Sequence, residues 1–180
     1  PVIDWHKLTI AKADNSQIMM VWAAGTALKY LKLTTTSSGS VTNSGVNALS
    51  TTVFNGIEEI ALDYHGSDKA VVVITTKHTS VNKIYANSYK NNAWNAVSTN
   101  IDYDMVFEFR HPVVSIEQGS ATKASIAYLK TDAAGIVTSS IHASEYDFSN
   151  DTWEAAHSIY DQEGTINIEQ GMKSHRDPVT

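Results

Sequence analysis

The stretch Ile84-Tyr85-Ala86-Asn87-Ser88-Tyr89, followed by a polar turn and Trp94, recurs later as Ile141-His142-Ala143-Ser144-Glu145-Tyr146, followed by a polar turn and Trp153. The spacing is 57 residues between the isoleucines and 59 between the tryptophans, so the slack lies in the turn. Self-similarity at such a period is the sequence signature of a repeat architecture. The stretch is therefore predicted to be one strand of a repeated unit.

Short apolar runs flank this strand in three imperfect copies, which cover residues 8–56, 57–111 and 112–171. In the second copy the preceding run is Ala70-Val71-Val72-Val73-Ile74. Its unbroken apolar character predicts a strand that is buried on both faces. Each copy is interpreted as four short strands.

The quoted strand of the second copy alternates between two kinds of side chain. Because successive side chains of a strand point to opposite faces, one set is predicted on one face and one on the other. The first set is Ile84, Ala86 and Ser88, and the second is Tyr85, Asn87 and Tyr89.

A repeat of about 50 to 60 residues with four strands has the size of a propeller blade. We therefore predict a single all-β domain over residues 1–180, built from about three four-stranded antiparallel blades with the first strand of each nearest the centre. The alternative fold is a β-sandwich. Three blades leave open sheet edges, which predicts completion by a homodimer or by neighbouring repeats of a longer chain.

The third copy carries a family resemblance. The run Pro112-Val113-Val114-Ser115-Ile116, a turn, an apolar strand and then Tyr146 and Trp153 resemble the divergent propeller repeats of sialidase-like and related bacterial surface proteins. The resemblance covers residues 57–159 well and 8–56 loosely. The Asp-box of sialidases is absent: residues 147–153 keep its Thr-Trp but lack the Ser, the Asp in register and the Gly.

Composition excludes several classes of site and partner. The chain of 180 residues has no cysteine, which excludes disulfides, a thiolate zinc site and a cysteine nucleophile. Its formal net charge is -6, with 13 Lys and Arg. This balance argues against nucleic acid and against an anionic membrane surface, both of which require a basic face.

Arg110 lies in Phe109-Arg110-His111-Pro112, which resembles the Phe-Arg-Ile-Pro motif of sialidases. In that family the arginine grips the substrate carboxylate, a task that suits a guanidinium group. The family requires three converging arginines, whereas this chain has only Arg110 and Arg176. The simpler interpretation is a residue that leads into the third copy.

The sequence predicts no metal, no cofactor and no catalytic residue. The seven histidines show none of the close pairing that metal ligands favour. A glycosidase would need two carboxylates about 5 to 10 Å apart. Four glutamates lie near the predicted first strands, and nothing in the sequence selects a pair among them: Glu58, Glu59, Glu108 and Glu117.

Tyrosines that recur beside Asn and Asp suggest a sugar-binding surface. Such sites combine a flat aromatic face with a few amide or carboxylate hydrogen bonds. The predicted ligand-binding residues are Arg110, Tyr85, Trp94, Trp153 and Tyr146. The competing interpretation is that these aromatic rings pack between blades, as ordinary strand residues do.

The predicted function is a non-catalytic recognition or scaffold module with carbohydrate as its ligand. We expect it outside the cell or at the cell surface, with a glycan or another cell-surface ligand as partner. One alternative is a divergent, sialidase-like glycoside hydrolase or a fragment of one. The other is a structural repeat protein that acts through self-assembly.

Overall fold

The computed structural model describes residues 7–13, 16–66, 68–132 and 138–163, and side-chain detail excludes Thr138 and residues 161–163. These residues form three antiparallel sheets. The first contains β1 (Leu8–Lys12), β2 (Gln17–Ala24), β3 (Ala27–Thr35), β4 (Val41–Asn43) and β5 (Asn47–Ala48). The second contains β6 (Ile57–His65), β7 (Lys69–Thr76), β8 (Asn82–Lys90), β9 (Ala93–Trp94) and β10 (Thr99–Asp104). The third contains β11 (Glu108–Ile116), β12 (Lys123–Thr131), β13 (Thr138–Asp147), β14 (Thr152–Trp153) and β15 (His157–Glu163).

The all-β class is confirmed. The three sheets are not closed into a barrel, and each follows chain order from its first strand outward. The predicted end of the third copy at residue 171 lies outside the described residues. No helix in the described ranges is long and apolar enough to cross a membrane.

The fourth strand of every copy is split into two pieces that both pair with the third strand. The pieces are β4 and β5, β9 and β10, and β14 and β15. Trp94 and Trp153 therefore lie in two-residue strands of their own, each paired with a tyrosine: Tyr89 with Trp94 and Tyr146 with Trp153.

The sheets stack face to face through two hydrophobic cores, and each core forms the junction between two neighbouring sheets. The junction of the first and second sheets is called the first junction, and that of the second and third sheets the second junction. The first core lies between the first and second sheets and includes Met19, Val21, Val72 and Ile74. The second core lies between the second and third sheets and includes Val71, Val73, Ile126 and Tyr128. The first strands lie together, because β6 contacts both β1 and β11.

The second strand of the middle sheet is buried on both faces, as its apolar run predicts. All side chains from Ala70 to Ile74 are fully enclosed. The first sheet behaves differently, because β2 alternates between buried and partly exposed residues. Two-sided burial thus belongs to the middle sheet, which has a neighbour on each face.

The alternation of β8 is also confirmed. Ile84 and Ala86 belong to the second core, and the Ser88 hydroxyl bonds the Tyr146 hydroxyl across the same junction. Tyr85 and Tyr89 belong to the first core. The two faces of one strand therefore serve the two junctions.

Gly56 connects the first sheet to the second. Its φ is 66°, a conformation that favours glycine. Its carbonyl oxygen accepts a hydrogen bond of 2.7 Å from the amide of Lys77. A Cβ atom at this position would lie 1.9 Å from the carbonyl oxygen of Lys77, so no other residue fits without displacing the backbone.

Candidate functional site

A polar groove of about 350 Å³ opens between the outer strands of the first and second sheets. One wall comes from β3, β4 and the residue after β4, and the other from the end of β8 and the turn that follows it. The lining residues are Tyr30, Lys32, Thr34, Thr42, Asn43, Ser44, Tyr89 and Asn92.

The β3 wall of the groove faces the second sheet because of the alternation of side chains along the strand. Tyr30 pairs with Val21 and Lys32 pairs with Met19, and both partners belong to the first core. Because residues paired across an antiparallel ladder share a face, Tyr30 and Lys32 lie on the side that meets the second sheet.

A tight turn forms the opposite wall. Lys90 pairs with Ala93 across the two turn residues Asn91 and Asn92, whose φ angles are 53° and 63°. Positive φ at both central residues defines a type I′ hairpin, for which asparagine is among the preferred residues. The turn therefore places the amide of Asn92 at the mouth of the groove.

An aromatic cluster forms the floor. Tyr89 lies 6.5 Å from Tyr30 and 5.3 Å from Trp94, and Tyr30 lies 6.0 Å from Trp94, all measured between ring centroids. Tyr89 is 3% exposed, so most of its ring supports the floor rather than facing solvent. The Trp94 indole N–H is buried and has no hydrogen-bond partner among the described residues.

Lys32 supplies the positive charge of the groove. Its Nζ donates a hydrogen bond of 3.2 Å to Oδ1 of Asn92 and lies 5.7 Å from the centroid of the Tyr89 ring. Partial burial lowers the pKa of Lys32, and the negative charge of Asp68 opposes that shift. Burial raises the pKa of Tyr89, reinforced by Tyr30 and Asp68, so its phenol stays protonated and can donate a hydrogen bond.

The predicted residues Trp94 and Tyr85 lie at the same junction as the groove, but not in its lining. Tyr85 makes an edge contact with Phe54, with centroids 5.3 Å apart, and the Nζ of Lys83 lies 5.8 Å from its ring centroid. Trp94 underlies the floor.

Tyr146 and Trp153 lie at the other junction, where their ring centroids are 4.8 Å apart. Tyr146 is fully buried. Its hydroxyl accepts a hydrogen bond of 2.9 Å from Ser88 and donates one to the carboxylate of Asp151. Burial, and then the Asp151 carboxylate, raise the pKa of Tyr146 to about 12.

Arg110 lies apart from all four aromatic residues, in a polar cluster at the start of the third sheet. Its Nε and one terminal nitrogen donate to Oε2 of Glu108, at 3.0 and 2.5 Å. Lys77 reaches Oε1 of the same carboxylate at 2.5 Å. Burial alone would raise the pKa of Glu108, but the hydrogen bonds from Lys77 and Arg110 prevail and lower it.

A β-bulge between Arg110 and Val113 shapes this cluster. The bulge contains His111, whose φ is 50° and whose amide donates to Oε2 of Glu59 at 3.0 Å. The guanidinium is thus committed to an internal carboxylate. The anionic Glu108 lacks the raised pKa that a general acid requires. No group of three or more His, Cys, Asp or Glu within the described ranges could hold a metal ion.

The predicted site residues therefore occupy three separate places, and the groove gathers a different set. Tyr30, Lys32 and Asn92 were not singled out by the sequence, although the Asn91-Asn92 pair after a strand was a usable signal for a tight turn. The sequence did not reveal that side chains of β3 in the first copy and of β8 in the second would line one groove.

The comparisons with known proteins found no protein-family model that matches the chain. They also found no curated protein with a match.

Proposed function

We propose that this chain is a non-catalytic recognition module whose groove between the first and second sheets binds a carbohydrate. The observation that carries the proposal is the joint presence of phenol rings, amides, hydroxyls and one ammonium group around a single cavity. Protein sites for sugars combine an apolar aromatic surface with a few converging polar groups.

The polar groups suit a polyhydroxylated ligand because they include both donors and acceptors. The ammonium of Lys32 donates, the amides of Asn43 and Asn92 do both, and the hydroxyls of Thr42 and Ser44 do both. The Lys32 ammonium in the lining repels a cationic ligand at the groove, although the protein as a whole carries a formal net charge of -6. A neutral or acidic sugar fits the groove better.

We further propose that the three stacked sheets are blades of a propeller-type arrangement. In support, the first strands lie together, each sheet runs outward in chain order, and the same split fourth strand recurs in every copy. The proposal places the protein outside the cell or at its surface, where glycans are available.

The test is a glycan screen on the whole chain with neutral and acidic sugars, followed by calorimetric titration of any sugar that binds. Lys32→Met should weaken binding about tenfold or more, since a charge-assisted hydrogen bond contributes about 1.5–3 kcal/mol. Lys29→Met is the matched control, because Lys29 pairs with Trp22 on the opposite face of the same strand.

The turn offers a second matched pair. Asn92→Gly should weaken binding because it removes the amide while keeping the positive φ of 63°. Asn91→Gly, with a φ of 53° at the neighbouring position, should leave binding unchanged. A protein that binds no sugar, or whose sugar affinity survives both Lys32→Met and Asn92→Gly, does not use this groove as a lectin site.

A further inference from the structure

The outer face of the first sheet is largely apolar and lies outside both cores, with Lys12 and Lys29 beside Ile18 and Trp22 on the same face. We define this face by Ile10, Ile18, Met20, Trp22, Leu31 and Leu33, which alternate with the core residues of β2 or pair with one another across β1, β2 and β3. None of the six belongs to either core formed by the described residues. Ile10 is 57% exposed, and the other five are partly exposed.

The same positions are buried in the other two sheets. The internal repeat aligns Ile18, Met20 and Trp22 with Ala70, Val72 and Ile74 of the second sheet. Those three residues are fully enclosed against the first sheet.

The third sheet repeats the arrangement. Its Ala124, Ile126 and Tyr128 occupy the same positions and are buried against the second sheet. In each copy this face is therefore built to receive the sheet before it. The first sheet has no preceding sheet in the part of the chain that the structure describes.

The third sheet presents the complementary surface at the other end of the stack. We define its outer face by Ser125, Ala127, Ala143 and Glu145, which pair with one another across β12 and β13. Ser125 and Ala127 align with Met19 and Val21, the residues through which the first sheet contacts the second. These four side chains are small or polar, although the same face continues into the larger pair Leu129 and Ile141. The six residues that define the outer face of the first sheet are large and apolar.

One polar position shows how two such faces meet. Lys32 lies 5.7 Å from the Tyr89 ring at the first junction, and Ser88 bonds Tyr146 at the second. Glu145 is the residue of the third copy that is equivalent to Lys32 in the first and Ser88 in the second. Each of the three pairs with the third residue of the second strand in its own copy. The same pairing places Leu33 at the position of Tyr89 and Tyr146.

We propose that the outer face of the third sheet binds the outer face of the first sheet of a second copy of this chain. Such a head-to-tail contact continues the internal stacking, with Glu145 facing Leu33 where Lys32 and Ser88 face a tyrosine. A heterologous contact closes into a ring when the rotation permits. Two copies would contribute six sheets, within the range of about four to eight at which radial sheet arrangements close. The proposal does not depend on the ligand of the groove.

The test is the solution mass of the purified chain by light scattering at micromolar concentrations. We expect twice the mass of one chain for the unaltered protein. Ile10→Lys should reduce the mass to that of one chain, and so should Ser125→Arg on the opposite end. Both sites are exposed, so the variants should keep the circular dichroism of the parent. Val97→Lys is the control, because Val97 is 64% exposed and lies on neither outer face.

Mixing the two variants identifies the geometry. The Ile10→Lys chain keeps an intact third sheet and the Ser125→Arg chain keeps an intact first sheet, so the mixture should recover pairs that neither forms alone. A monomeric parent would overturn the proposal. A pair that Ile10→Lys leaves intact, or that Ser125→Arg leaves intact, would overturn it as well.

Discussion

The two junctions between sheets are built from equivalent residues, and the groove lies at the first of them. Tyr89 packs against Trp94 at the first junction as Tyr146 does against Trp153 at the second, at 5.3 and 4.8 Å between centroids. The residue opposite the tyrosine is Lys32 in one case and Ser88 in the other. The Ser88 hydroxyl bonds the Tyr146 phenol directly, whereas the Lys32 ammonium lies over the Tyr89 ring, 5.7 Å from its centroid.

This difference shows that equivalent positions of a repeat can have different surroundings when one facing residue changes. The aromatic pair is a structural element that both junctions share, and so its presence does not distinguish a binding surface from an interior one. The two junctions differ in the polar side chain that faces the aromatic pair, which is Lys32 at the first and Ser88 at the second. The first junction therefore contains an open groove, and the second contains a direct hydrogen bond between Ser88 and Tyr146.

The largest expected effect comes from breaking the first junction at its connection. Gly56→Ala places a methyl group 1.9 Å from the carbonyl oxygen of Lys77, and we expect a loss of about 3 kcal/mol or more in the free energy of unfolding. Gly25→Ala is the control, because Gly25 also has a positive φ of 66° but open space around its Cα. It should cost about 1–2 kcal/mol.

Urea denaturation measures both variants. Equal losses for Gly56→Ala and Gly25→Ala would mean that the contact with Lys77 relaxes easily, and that the connection does not hold the first junction together.

A pair of hydroxyl deletions sharpens the comparison. Tyr146→Phe should cost about 1–3 kcal/mol in the free energy of unfolding, because it removes the acceptor for the buried Ser88 hydroxyl and the donor to Asp151. Tyr89→Phe should cost less than about 0.5 kcal/mol, because the Tyr89 hydroxyl lies 3.5 Å from Oδ1 of Asn92 and makes only a weak hydrogen bond. Chemical denaturation of the two variants side by side checks the difference, and similar losses would contradict it.

The smallest expected effect is a loss of stability at low pH, caused by protonation of Asp104 at the second junction. Asp104 of the second sheet lies 2.9 Å from the ammonium of Lys130 in the third. Burial alone would raise the pKa of Asp104, but hydrogen bonds from the amides of Phe107 and Val106, followed by Lys130, lower it from 3.8 to about 2. A carboxyl whose pKa is lowered on folding stabilises the protein above its unfolded pKa.

This stabilisation should therefore be lost as the pH falls from about 4 to about 2. Solvent screening limits it to about 1 kcal/mol. Asp104→Asn should flatten the dependence of the thermal midpoint on pH across that window. If the thermal midpoint of the variant falls with pH as steeply as that of the parent, other carboxyl groups dominate the loss of stability in acid.

Particular residues show how far the sequence could lead. The alternation of β8 was predictable, because Ile84, Ala86 and Ser88 differ plainly in character from Tyr85, Asn87 and Tyr89. The burial of Val71 to Val73 followed from their unbroken apolar run. The groove was not predictable in the same way. Tyr146 and Tyr89 have similar sequence contexts and are both buried, yet Ser88 faces one and Lys32 faces the other.

Local pattern by itself determined the all-β class, the strands and the repeat, because side-chain alternation and turn chemistry act over a few neighbouring residues. Only the tertiary structure decided which aromatic residues are enclosed, that Lys77 joins Arg110 on the Glu108 carboxylate, and that Lys32 meets Asn92 across a groove. Those contacts join residues up to 60 positions apart, and their existence depends on how whole sheets stack. Stacking is set by the summed shape and polarity of two faces, which no single stretch of sequence contains.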